Sequence, residues 1–66
     1  MINKTPTTIN ITEVECEYLG AYYNVGGLFF DVYRHKNNLY QGTGYFLTVI
    51  QPNLYEYVLQ ELKEHI

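Results

Sequence analysis

The chain has 66 residues, enough for one domain and no second module. Hydrophobic residues make up 47 % and charged ones 17 %, a balance too apolar for intrinsic disorder. The formal net charge of −3, with 4 Lys and Arg in all, argues against a general polyanion binder or an anionic membrane surface, since neutralising phosphates takes cations.

Residues 1–7 read as a flexible N-terminal arm, because Lys4-Thr5-Pro6-Thr7 has no apolar period and Pro6 cannot donate to a strand ladder. Residues 8–66 are then the single domain. Residues 1–12 are polar, without the apolar core of a secretion signal, and no run approaches the ~20 apolar residues of a membrane span. The single Cys16 suits a reducing compartment, so a cytoplasmic location is expected.

Ile9 and Ile11 alternate with Asn10 and Thr12, which starts a strand near Thr8. Val14, Cys16 and Tyr18 then alternate with Glu13, Glu15 and Glu17, giving a strand with one apolar and one acidic face. The two runs are out of phase, so a bulge or break is expected near Thr12, and a second near Gly20 before Ala21-Tyr22-Tyr23. Asn24-Val25-Gly26-Gly27 supplies residues that tolerate positive φ and reads as a hairpin turn.

Residues 28–35 form the next strand, with Leu28, Phe30 and Val32 on one face and Phe29, Asp31 and Tyr33 on the other. Lys36-Asn37-Asn38 turns the chain. A third strand covers 39–50, interrupted by Gly42-Thr43-Gly44; Tyr45, Leu47 and Val49 share one face, Phe46, Thr48 and Ile50 the other. After Gln51-Pro52 the period changes. Asn53 and Glu56 have capping-box spacing, and Tyr55, Val58, Leu59, Leu62 and Ile66 make a helical stripe widened by Leu54. The expected fold is α+β: a small antiparallel β-meander of three to four curved strands followed by one C-terminal amphipathic helix packed on the sheet.

One helix covers one sheet face, yet the central strands are apolar on both. That surplus points to an interface. The expected partner surface comprises Tyr22, Tyr23, Phe29, Tyr33, Phe46 and Ile50, with the acidic strip Glu13, Glu15 and Glu17 as an auxiliary dock for a basic partner. A homodimer is the simplest way to hide it. The bland alternative is that the first strand curls over, bending at Gly20 and at Gly42 or Gly44, and closes the second core by itself.

Catalytic chemistry finds no support. Cys16 alternates with apolar residues, no histidine has a spacing that pairs it with Cys16, and His35 and His65 fit no metal pattern. Gly42-Thr43-Gly44 lacks the Lys-Ser/Thr of a phosphate loop. No enzyme activity, cofactor or metal is expected. The leading expectation is a non-enzymatic protein-interaction module. In size, acidity, tyrosine load and lack of chemistry it resembles small phage or mobile-element proteins that block a host protein, a likeness of general character that covers no specific residue. Two other classes stay open: a nucleic-acid-binding sheet module using Arg34, Lys36 and Tyr40 with Tyr33, and a structural subunit of a larger assembly.

Overall fold

The computed structural model describes residues 6–62. The fold is α+β. Five antiparallel strands, β1 (Thr8–Asn10), β2 (Glu17–Tyr23), β3 (Phe29–His35), β4 (Asn38–Gly42) and β5 (Phe46–Val49), form one sheet in the order β1-β5-β4-β3-β2. A 3-10 turn (Pro52–Leu54) leads into the helix α1 (Tyr55–Glu61). The strand count is five because the expected third strand is two: residues 43–45 turn the chain between β4 and β5, and Tyr40 pairs with Val49 across that hairpin.

The turns follow from residue type. Asn24 closes the β2–β3 loop, accepting Leu28 N–H on Oδ1 and Gly27 N–H on its carbonyl, while Gly27 takes φ +86°. Lys36 and Asn37 both have positive φ, 54° and 106°, between the paired His35 and Asn38. That is the two-residue turn whose twist matches the strands it joins. The register slips between Tyr18 and Gly20, where Leu19 is the extra residue and Gly20 sits at φ 139°. The break expected at Gly20 is therefore a β-bulge.

The expected strand over 13–18 forms only from Glu17. The Asn10 side chain accepts the backbone N–H and hydroxyl of Thr12, and its carbonyl accepts from Glu13 and Val14. This winds 11–14 into a turn, so Glu13 and Glu15 lie outside any strand and no three-glutamate strand face exists.

β1 and β2 are opposite edges of the sheet, so residues 11–16 must cross one of its faces. A flat five-stranded sheet measures about 19 Å between its outer strands. The connection, part of it coiled, reaches roughly 16 Å. The sheet must therefore curl around the crossing. Ile11 and Val14 pack there against Ile9, Tyr40 and Leu47, with Tyr33 and Val49 beside them. The apolar surplus on this face is thus filled largely by the chain's own N-terminal segment, as the self-closing alternative requires. Pro6 and Thr7, expected in the arm, are part of this closure: the Tyr40 hydroxyl donates to the Pro6 carbonyl at 2.9 Å and Val49 N–H to the Thr7 carbonyl at 2.8 Å.

The other face carries the helix. Val58, Tyr55 and Leu62 pack on Tyr22, Val32, Leu39 and Ile50, with Leu19 and Phe30 at the margin. The Tyr55 hydroxyl accepts Leu39 N–H and donates to Asn38. The helix is shorter than its stripe suggests. Pro52 opens a 3-10 turn, Asn53 lies within it, and no side chain caps α1, so the Asn53–Glu56 capping box does not form. Leu62 turns extended, and Leu54 and Leu59, expected on the packed stripe, are exposed. Ile66 lies outside the described residues. Beyond the helix the same sheet face shows the polar cross-strand row Gln41, Thr48 and Thr8. In β2, Gly20, Ala21 and Tyr22 are buried, so the middle of that outer strand is not an open template for another chain.

Candidate functional site

Strand alternation sorts the two hairpin tyrosines. Tyr22 points into the helix-side core, 4 % exposed, with its hydroxyl donating to the Gln41 side-chain carbonyl and its ring 6.4 Å from that of Tyr57. Tyr23, one residue on, is 59 % exposed on the opposite face. Ile50 is buried at 3 % in the helix-side core. Tyr22 and Ile50 therefore drop out of the expected partner surface: each meets the core through a contact distant in sequence. Phe46 is exposed at the far side of the sheet, paired with Asn10 of β1.

What the fold does assemble is an aromatic strip on the β2–β3 hairpin. On one face, Tyr23 pairs with Phe29, Ala21 with Asp31, and, past the bulge, Tyr18 with Tyr33. The rings stack in cross-strand pairs, Tyr23–Phe29 with centroids 4.6 Å apart and Tyr18–Tyr33 edge to face at 5.2 Å. Tyr18, Tyr23 and Phe29 are exposed, Tyr33 is half-buried, and Val25 and Leu28 extend the apolar surface over the loop. Asp31 lies between the two ring pairs, with the Tyr18 hydroxyl donating to it at 3.4 Å. Its row is Ala21–Asp31–Gly42, small residues on either side.

Four members of this surface escape a reading based on aromatic count alone. Tyr18 looks like core because it alternates with Val14 and Cys16. Val25 and Leu28 look like turn and strand residues. Asp31 is the one acid of β3, set on a strand face between Phe29 and Tyr33, and that is the signal that could have marked it.

At the other end of β3, Glu15, Cys16, Glu17, Arg34, Lys36 and Asn37 line an open cleft of about 540 Å³. Two of its four charges are engaged with each other, Arg34 pairing with Glu17, and His35 Nδ1–H donates to the Glu15 backbone carbonyl at 2.7 Å. Burial raises the Cys16 thiol above its ordinary value, which keeps it protonated and a poor nucleophile. Among the described residues no three of His, Cys, Asp and Glu are grouped to hold a metal. Of the nucleic-acid constellation, Arg34 and Lys36 share this cleft, but the tyrosines do not join them. Arg34 and Tyr33 are successive strand residues on opposite faces, and Tyr40 is buried with its hydroxyl bound to Pro6. Among the described residues no helix is long and apolar enough to cross a membrane.

The tyrosines give the fold a pH signature. Burial raises the phenol pKa of Tyr18, Tyr22, Tyr33 and Tyr40 above 10.0; the Asp31 charge adds to this at Tyr18 and Tyr33, Tyr57 at Tyr22 and Tyr55 at Tyr40. An acid with a raised folded pKa ionises first in the unfolded chain. Its contribution to stability is full below the unfolded value and is lost as pH rises from there through the folded value. Thermal melts should therefore hold steady up to about pH 10 and fall steeply above it. Tyrosinate absorbance recorded alongside circular dichroism checks this: part of the tyrosine signal should appear only as ellipticity is lost. Independent titration of every phenol on a folded chain would contradict it.

No protein-family model, curated protein or solved structure matches this chain. The functional reading rests on the geometry above.

Proposed function

We propose that this chain is a non-enzymatic protein-interaction module that docks a partner protein through the β2–β3 aromatic strip. The observation that carries the reading is the set of exposed rings, Tyr18, Tyr23 and Phe29, fixed in cross-strand pairs and continued by Val25 and Leu28. Tyrosine and phenylalanine on a rigid ladder bury much area at small entropic cost, the composition of an interface core. Occupying a functional surface of the partner would block it, so inhibition is the mode of action that such a module performs without chemistry of its own.

Self-association has a weaker motive than the sequence implies, since the chain covers most of its second apolar face with residues 9–14. The strip is what is left for a second copy to use. A dimer in light scattering that dissociates on strip substitution would make the partner another copy of this chain.

The test uses a double variant, Tyr23→Thr with Phe29→Thr, which removes two rings and keeps residues that suit a strand. Leu59→Ser, on the exposed side of α1, is the control. Proteins captured from a cell lysate by wild type and by the control should be bound about 30-fold more weakly by the strip variant, the scale of one aromatic hot spot. Equal capture by all three forms, with the strip variant folded, would overturn the reading.

A further inference from the structure

We propose that the outer edge of β1 is a docking seam for a second copy of this chain, which adds its own β1 antiparallel about a two-fold axis at Thr8. The seam goes beyond partner docking at the β2–β3 strip and lies at the opposite edge of the sheet from β2. The strip is what the sheet faces leave for self-association; the seam is a backbone edge.

Hydrogen-bond alternation fixes which backbone groups face out. Val49 N–H donates to the Thr7 carbonyl and Ile11 N–H to the Tyr45 carbonyl, so residues 7, 9 and 11 turn their backbone groups toward β5. Thr8 and Asn10 therefore point theirs outward. Among the described residues no strand lies beyond β1. The Asn10 carbonyl is already taken by the N–H groups of Glu13 and Val14, and Pro6 has no N–H to offer. Thr8 alone presents both a donor and an acceptor. That pair is self-complementary: across a two-fold axis, Thr8 N–H of each copy meets the Thr8 carbonyl of the other. The same register sets Asn10 opposite Pro6 of the second copy. There an occupied acceptor faces a missing donor, so neither is left wanting.

Charge selects the occupant. Residues 5–12 and 37–55 hold no charged side chain, so β1, β4, β5 and the β4–β5 turn are neutral. Edge strands are ordinarily guarded by charge. β2 carries the Glu17 end of an ion pair and buries Gly20, Ala21 and Tyr22; β1 has only Pro6 before it. Because the chain carries −3, two copies repel wherever their acidic parts approach. At the β1 edge they meet neutral on neutral. Phe46, paired with Asn10, and Tyr45, whose carbonyl holds Ile11 N–H, are both exposed one strand in from the seam, so joining the edges also draws apolar surface together. Pairing uses up β1 in both copies, and β2 is not an open template, so association stops at two.

The test follows the mass of the chain by sedimentation equilibrium up to millimolar concentration, with amide shifts of the isotope-labelled chain recorded over the same range. A monomer–dimer equilibrium is expected, with a dissociation constant on the order of 100 µM, the weak end suited to so short a seam. The Thr8 and Asn10 amides should shift with concentration, and those of Ala21 and Tyr23 should not. Thr8→Pro removes the outward donor and no bond within the sheet; it should weaken the dimer at least about tenfold. Thr8→Lys sets like charges opposite each other across the axis and should weaken it as much. That variant decides the matter if the proline form does not fold. Gln60→Lys, on the exposed side of α1, adds the same charge and should leave the dimer in place, as should Tyr23→Thr with Phe29→Thr. A chain that stays monomeric at millimolar concentration would overturn the seam. So would a dimer indifferent to both Thr8 variants, one weakened equally by Gln60→Lys, or one lost with the strip variant.

Discussion

Replacing Leu47 with alanine is expected to unfold much of the protein at room temperature, whereas replacing its neighbour Phe46 leaves stability within about 0.5 kcal/mol. The two side chains sit one residue apart on opposite faces. Leu47 is fully buried between Ile9 and Tyr40 under the crossing segment, and Phe46 is 68 % exposed. A buried leucine truncated to alanine costs about 2–5 kcal/mol, through lost transfer energy and the cavity left behind. A single small core rarely supplies more than about 3–5 kcal/mol in total. The loss is therefore comparable with the whole. Urea unfolding of both variants checks it, and a Leu47→Ala cost below that of Ile-to-Val trimming would mean that the N-terminal segment does not cover this face.

That prediction turns on the part of the fold that local pattern cannot supply. Period-two alternation tells which residues share a face; it does not tell what lies over that face. The β2–β3 and β3–β4 turns are legible because Asn24, Gly27 and Asn37 carry the positive φ or the side-chain acceptor that those turns need. The helix is legible from Val58 and Leu62. The crossing of 11–16 is a long-range event, set by the placement of β1 beside β5 at the edge opposite β2. Its sequence imitates a strand because a segment laid across a sheet also buries one side and exposes the other: Val14 is half-buried, Glu13 and Glu15 exposed. The Asn10 side chain, which winds the turn before it, is the local clue.

The candidate site divides the same way. Tyr23, Phe29 and Tyr33 are readable as an aromatic cluster near a turn. Separating Tyr23 from Tyr22 requires the strand to continue to the loop, so that alternation sends one ring inward to Gln41 and the other out. Tyr18 joins the strip only because Leu19 is bulged out, which shifts Tyr18 into phase with Ala21 and Tyr23. Without the bulge Tyr18 would face the helix, and the strip would lose one ring.

Substitution of Gly42 is expected to have the second largest effect. A Cβ built on Gly42 would stand 2.6 Å from the Phe46 carbonyl oxygen and 2.8 Å from Leu47 Cδ2. The side-chain carbon can shift; the carbonyl belongs to the backbone of β5 and cannot move without disturbing that strand and its pairing with β1. Gly42→Ala should therefore cost about 1–3 kcal/mol, as overpacking does, against a total of similar size. Gly44, two residues on in the same turn, meets nothing within 4 Å. Gly44→Ala should be neutral or gain about 0.4–1 kcal/mol by restricting the unfolded chain. Thermal melts of the pair separate a close approach from a mere turn requirement, since a turn requirement would penalise both. Gly42 also sits beside Asp31 on the strip face. A glycine is kept there because the β5 backbone and the Leu47 side chain already occupy the place its Cβ would take, so the close packing of β4 on β5 also sets the surface beside Asp31.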